Sequence, residues 1–317
     1  MLTSPVADSK NSTTVRSPAH AQRRLPFAIR AVGAGLRVVE AGSPALAAQL
    51  GMEVMFRTQR SAPAARERAL LERGERFTVD SAPGPLAVWS FGAGPTVILM
   101  HGWNGRGGQL DRFVEPLVQR GFRVVTFDAP GHGQSPGHTS SLLDFADAVD
   151  AVLDAVGLPF VPVHAVIAHS MGGAAVTYAM SRYARAPEVG RARAWRDGLP
   201  VRRFAFLAPP IDVGDFVASF IRMNGLGPST QDALRRRIEA RFAMSLDALY
   251  APPLAREMTA PLLVVHDEED RDVPVRCGRL LAEAWPGAEL EITRGLGHMR
   301  VLRDAAVIDR VVSFVAT

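Results

Sequence analysis

Cysteine and lysine are almost missing from this 317-residue chain: Cys277 stands alone, and Lys10 is the only lysine. One thiol makes no internal disulfide and no cysteine cluster, which excludes a disulfide-stapled secreted module and a zinc ribbon. No stretch reaches the roughly 18 uninterrupted apolar residues that a membrane span needs. The best candidate, Leu25 to Phe56, is interrupted by Arg30, Arg37, Glu40 and Glu53. The same charges spoil an export signal behind the pair Arg23-Arg24. A soluble, cytoplasmic protein is expected. The eight histidines include no His-Glu-x-x-His and no metal-ligand spacing. The glycine-rich stretches Gly92-Ala93-Gly94-Pro95 and Gly102…Gly107-Gly108 lack a P-loop lysine, and no dinucleotide fingerprint is present. Metal ions and organic cofactors are therefore not expected.

Apolar residues, by contrast, are abundant. The chain is 47% hydrophobic and 21% charged, enough for a sizeable core and too apolar for wholesale disorder. The net charge of +4 hints at an acidic partner, but its location argues otherwise. Residues 1–76 carry 12 basic against 6 acidic side chains, whereas the remainder carries 24 against 26. The positive excess belongs to the N-terminal part, and no nucleic-acid partner is expected.

Residues 1–24 are polar and without periodicity, which reads as a disordered basic tail. A helical extension is expected over 25–75. Its first helix carries Ile29, Val32, Leu36 and Val39 at helical spacing and stops at Gly42. Ser43-Pro44 caps a second helix, with Leu46, Leu50 and Val54 as its apolar stripe. A third covers Ala64 to Glu72.

From residue 76 to 317 strands alternate with helices. Strand-length apolar runs occur at Phe77–Val79, Leu86–Ser90, Thr96–Met100, Arg123–Phe127, Val163–Ala168, Phe204–Ala208, Leu262–His266 and Leu290–Thr293. Helical patterns cover about 110–120, 141–156, 171–183, 276–284 and 301–314. Such runs imply a mostly parallel eight-stranded sheet covered on both faces, with an antiparallel start because the first strands lack intervening helices. About 210–260 reads as a helical cap bearing Phe216, Phe220 and Met223. Arg235, Arg236, Arg237 and Arg241 in that cap read as a solvated helix face rather than a site for an acidic substrate.

Ala168-His169-Ser170-Met171-Gly172-Gly173 lies directly after a strand and directly before a helix. A serine on such a sharp turn needs small residues two positions to either side, here Ala168 and Gly172. Its hydroxyl also sits at a helix N-terminus, where backbone dipoles favour developing negative charge. The bland alternative is that Ser170 only caps the helix. Activation needs a base and an orienting acid. His298 falls in the glycine-flanked loop before the last helix. Asp270 falls in the acidic loop Asp267-Glu268-Glu269-Asp270-Arg271-Asp272-Val273-Pro274. Both therefore lie beyond carboxyl ends of strands, where open α/β sheets bind ligands.

The order Ser170…Asp270…His298 resembles that of the α/β-hydrolase superfamily, and the resemblance runs from about Arg76 to the end. It implies an α/β-hydrolase fold with Ser170 as nucleophile, His298 as base and Asp270 as acid, four residues before Pro274; Asp272 is the nearest rival. It also makes His101-Gly102-Trp103 an oxyanion loop, with the N–H groups of Trp103 and Met171 as donors. Phe127-Asp128-Ala129-Pro130-Gly131-His132 then forms a structural turn, and His101 is structural too. A serine in the nucleophile position argues against epoxide hydrolases and haloalkane dehalogenases, which use aspartate there. The expected activity is hydrolysis of a carboxylic ester, with a partly apolar small-molecule ester or acyl substrate. A thioester, amide or carbon–carbon bond, transfer to another acceptor, and a non-catalytic small-ligand receptor are the alternatives.

Overall fold

Eight short runs, most of them apolar, make one sheet, and the connections between them decide its layout. The computed structural model describes residues 27–157, 162–185 and 199–317, so the tail expected over 1–24 lies outside the described residues. The strands are β1 (Glu75–Val79), β2 (Leu86–Phe91), β3 (Thr96–Met100), β4 (Arg123–Phe127), β5 (Ala165–His169), β6 (Phe204–Leu207), β7 (Leu262–Asp267) and β8 (Glu289–Thr293). Their spatial order is β1-β2-β4-β3-β5-β6-β7-β8. β1 and β2 pair antiparallel with each other, as does β2 with β4, and every other pairing is parallel. The hairpin has no helix to carry the chain back across the sheet, so it cannot be parallel.

Before the sheet come α1 (Phe27–Gly42), α2 (Pro44–Phe56) and α3 (Ala65–Arg73); the later helices are α4 (Asp111–Gln119), α5 (Leu142–Val156), α6 (Met171–Arg185), α7 (Val213–Asn224), α8 (Pro228–Phe242), α9 (Ala251–Ala255), α10 (Val275–Ala284), α11 (Gly297–Arg300) and α12 (Ala305–Ala316). Helices on both faces bury two apolar layers. One gathers Ile98, Val125, Phe145, Val149, Val166, Phe206 and Val264. The other gathers Leu99, Phe113, Leu117, Ile167, Val265 and Val311. Among the described residues no helix is long and apolar enough to cross a membrane.

The third cluster corrects the expected faces of α1 and α2. In α2 the buried residues are Ala47, Ala48, Gly51 and Met55, while Leu46 and Val54 are exposed. In α1, Gly33 and Leu36 are buried and Val32 is exposed. Close approach is the reason. A Cβ on Gly33 would lie 3.1 Å from the Asn224 side chain, and one on Gly51 would lie 3.3 Å from the Phe220 ring. The small face lets the backbones come near the cap helices, where Leu36, Ala48 and Met55 meet Val217, Ile221, Leu234 and Ile238. Glu40 adds a polar tie: its carboxylate accepts from Gly227 N–H at 2.7 Å and from the Thr230 hydroxyl at 2.5 Å, at the N-terminus of α8. α1 and α2 thus roof the cap, whereas Leu70 of α3 joins the second layer against the sheet.

Candidate active site

Ser170 sits where β5 turns into α6, with φ of +52°, a left-handed conformation that non-glycine residues rarely adopt. The turn leaves no room beside it. A Cβ on Gly172 would meet the His101 carbonyl oxygen at 2.6 Å, and one on Gly102 would meet the Ser170 Cβ at 2.8 Å. The serine N–H donates to the Leu207 carbonyl at 2.9 Å, which anchors the turn to β6. The side chain is thereby lifted above the sheet.

His298 reaches it from the opposite loop. Its Nε2 lies 3.0 Å from Ser170 Oγ, and its Nδ1 lies 2.7 Å from Asp270 Oδ2. Because a carboxylate only accepts, Nδ1 carries the proton and Nε2 is left to accept from the hydroxyl. The residue lies in the single helical turn α11 rather than in the open loop expected from sequence. Gly295 and Gly297, both at positive φ, permit that tight entry.

Asp270 is 8% exposed and fully hydrogen-bonded. Oδ1 accepts from the N–H groups of Asp272 and Val273, each at 2.9 Å. Oδ2 also lies 3.5 Å from Nε2 of the buried His266, which donates to the Val273 carbonyl at 2.9 Å. Burial pushes the carboxyl upward, but His266, then His298 and the Val273 N–H, outweigh it and hold the group well below the usual carboxylate range. Asp272 only contributes its backbone N–H to Asp270 through hydrogen bonding and is exposed. The N–H groups of Trp103 and Met171 take part in no hydrogen bond among the described residues, and α6 starts at Met171. Ser170, His298 and Asp270 are brought together in one line.

The profile of the alpha/beta hydrolase family matches residues 97–310. The chain belongs to that family. It is similar to a 2-hydroxy-6-oxononadienedioate/2-hydroxy-6-oxononatrienedioate hydrolase of Dechloromonas aromatica, 31% identical over 68% of this chain and 85% of the relative. A pimeloyl-[acyl-carrier protein] methyl ester esterase of Chromobacterium violaceum is 30% identical over 65% of this chain and 87% of the relative. Among solved structures, an esterase of Pyrococcus furiosus superposes with a TM-score of 0.59 at 19% identity, covering 81% of this chain and 97% of that one. That likeness is one of fold.

Around the centre of this alpha/beta hydrolase, three histidines stay neutral. His101 donates from Nδ1 to the Gly102 carbonyl at 2.7 Å and accepts the Ala129 N–H on Nε2 at 3.0 Å; burial drives its pKa well below the ordinary value. His132 donates to the Pro130 carbonyl at 2.9 Å and accepts the Asn104 N–H at 3.0 Å; burial lowers it to about 4. His169 is lowered to about 3, again chiefly by burial. Asp128 accepts from the N–H groups of Gly107 and Gln134, both at 2.7 Å, so it shapes the turn.

Sequence reasoning missed Asp267, His266 and His169. Asp267 is fully buried and accepts from the Thr293 hydroxyl at 2.8 Å and the Leu296 N–H at 2.9 Å. It steadies the turn that presents His298. Besides the nearby Glu269 N–H at 2.9 Å, the two partners that tie it to this turn lie 26 and 29 residues away, so no local pattern betrays the role. In the cap, Arg235 pairs with Glu239 and Asp247, and Arg241 lies over the rings of Phe56 and Phe242. Those two arginines are engaged within the protein.

Proposed function

We propose that this alpha/beta hydrolase is a serine hydrolase that cleaves a carboxylic ester. The observation that carries the reading is the line from Ser170 Oγ to His298 Nε2 at 3.0 Å and from His298 Nδ1 to Asp270 Oδ2 at 2.7 Å. His298 takes the serine proton as Oγ attacks the carbonyl carbon, and the ionised Asp270 stabilises the imidazolium. The carbonyl electron pair moves onto oxygen, where the N–H groups of Trp103 and Met171 receive it. His298 returns the proton to the leaving alcohol. It then deprotonates a water, which attacks the acyl-enzyme and releases the acid. The strained φ of Ser170 supports the nucleophile role, since such strain is typically kept where it serves function. In this reading residues 76–317 form the hydrolase domain, about 210–260 its cap and 25–75 a helical extension.

An ester is favoured because relatives at comparable identity are named a methyl ester esterase and, in Mycolicibacterium smegmatis, a monoacylglycerol lipase. The Trp103 ring, which follows the oxyanion loop glycine, faces Phe216 of the cap at 6.4 Å between centroids. Such a pair suits an apolar acyl or alcohol portion.

Labelling with a fluorophosphonate, which reacts only with an activated serine, tests the assignment. Wild type is expected to label and Ser170→Ala is not. Labelling that persists in the variant removes Ser170 from the role. A wild type that neither labels nor turns over short- or medium-chain activated esters removes the hydrolase reading and favours a ligand receptor.

A further inference from the structure

The loop after β3 that carries Trp103 has little of its own to hold it. It runs through Gly102 and Gly105 with no regular structure before a short 3-10 turn at Gly107–Leu110, which itself opens on two glycines. The Gly102 carbonyl accepts from the Gly105 N–H at 3.0 Å and from His101, and the Gly107 N–H donates to Asp128; further restraints come from residues far upstream. We propose that the segment 57–67, comprising the strap after α2 and the first turn of α3, is a positioning element of the oxyanion site. It acts on the Trp103 N–H through Asn104 and Arg106. This rests on the serine hydrolase reading and adds to it a part of the chain that precedes the family-matched residues 97–310.

Two routes converge on Asn104, which follows Trp103 and has φ of +55°. Its side-chain oxygen accepts the Gln59 N–H at 2.8 Å. Its own N–H donates to His132 at 3.0 Å, and the loop carrying His132 is in turn held by the strap. There the Thr58 hydroxyl donates to the Gly131 carbonyl at 2.7 Å, and the Thr58 N–H to the His138 carbonyl at 2.9 Å. Arg60 reaches the carbonyls of Gly131, Ser135 and Gly137. Asn104 is thus held both at its N–H and at its side chain.

A third tie acts two residues further on. Arg106 Nε lies 2.5 Å from Glu67 Oε2, and its Nη1 donates to the Ser61 hydroxyl at 2.9 Å. The Glu67 side chain is only 5% exposed and the Arg106 side chain 15%. A Cβ on Gly108 would lie 3.2 Å from Glu67 Cβ, so the glycine lets α3 sit directly on the loop. Holding two helices together is a task apolar side chains perform at lower cost than a buried ion pair. A directional pair of fixed geometry suits a loop whose donor must be placed within a fraction of an ångström.

The test compares wild type with Glu67→Gln, and with Arg73→Ala as a control on the exposed side of the same helix. Active sites are titrated with a fluorophosphonate, so that misfolded molecules do not count. Two quantities follow: kcat per titrated site on an activated ester, and Ki for an aryl trifluoromethyl ketone, whose hemiketal adduct carries an oxyanion. Glu67→Gln is expected to lower kcat by about tenfold or more and raise Ki in proportion, with KM little changed. Arg73→Ala is expected to leave all three within twofold. Should Glu67→Gln fail to fold, Asn104→Gly keeps the positive φ accessible while deleting the acceptor for Gln59; a severalfold rise in Ki is expected there. Unchanged kcat per site and Ki, with only thermal stability reduced, overturns the proposal. So does a fall in kcat without a rise in Ki. A wild type that does not label at all sinks the hydrolase reading instead, so the two failures are distinct.

Discussion

His169 donates from Nε2 to the backbone carbonyl of His298 across 3.0 Å, tying the residue before Ser170 to the turn that carries His298. The rings lie 4.7 Å apart, tilted by 45°. A carbonyl only accepts, so the bond needs the Nε2–H tautomer, and burial keeps the ring neutral.

His169→Leu therefore leaves the His298 carbonyl without its donor while preserving bulk. A loss of about 1–3 kcal/mol in stability is expected, from an unsatisfied group in a near-buried place. Because the His298 ring shifts with its backbone, the proposed mechanism predicts that kcat falls by about tenfold. Chemical denaturation and steady-state kinetics on the same preparation read both. A variant with wild-type kcat separates the tie from the chemistry.

The acid assignment predicts a sharp contrast two residues apart. Asp270→Asn keeps the shape but no longer demands the Nδ1–H tautomer of His298, and about 10³–10⁴-fold of kcat should be lost. Asp272→Asn, whose side chain is exposed, should cost less than about threefold. The reverse pattern would falsify the choice of Asp270.

Acid should weaken the fold before it discharges Asp270. His101, His132 and His169 are all depressed below the ordinary histidine value, to about 4 for His132 and about 3 for His169. In the unfolded chain they take up protons near pH 6.5, whereas the folded chain does not, so the unfolded state binds more protons as pH drops. Stability is then lost progressively from about pH 6.5 downwards, at up to about 1.4 kcal/mol per pH unit for each histidine. The held-down Asp270 carboxylate adds its own loss only below the ordinary carboxylate range. Urea midpoints at pH 7 and pH 5 should differ strongly, and His132→Gln should reduce that difference. An undiminished slope in the variant removes His132 from the account.

Truncations should separate tail from extension. Removal of residues 1–24 is expected to leave turnover intact. Removal through residue 56 takes away α1 and α2 and bares Val217, Ile221, Leu234 and Ile238 on α7 and α8. A contiguous apolar face of that kind promotes aggregation. Soluble expression with light scattering distinguishes the two truncated forms, and a soluble, active shorter form refutes the packing argument.

Most of the sheet was readable because continuous Val/Ile/Leu runs between helical patterns have few other solutions. Ser170, Asp270 and His298 were readable because strand ends and chain order constrain them together. The faces of α1 and α2 were not. Apolar periodicity selected Val32, Leu46 and Val54, yet what the packing buries is Gly33, Ala47, Ala48 and Gly51, because small residues allow close helix contact. Periodicity records hydrophobicity, and close approach selects against volume. The supporting shell of Asp267, His266 and His169 was equally hidden. Asp267 and His169 reach partners 26 to 129 residues away that come together only in the folded chain, and His266, although four residues from Asp270, lies inside an apolar strand that gives no sign of the contact.

One contact on the roof bears on how this enzyme can be rebuilt. α8 starts after Gly227, which offers no capping side chain, and the acceptor for the Gly227 N–H at that end is Glu40, 187 residues earlier. The cap is for that reason not a portable module. Grafted onto another hydrolase without α1, it arrives with an uncapped helix and a bare apolar face. During synthesis the order is favourable, since α1 and α2 leave the ribosome long before the helices they complete. A circular permutant that opens the chain between α2 and α3 reverses that order, and the cap then has to wait for its roof.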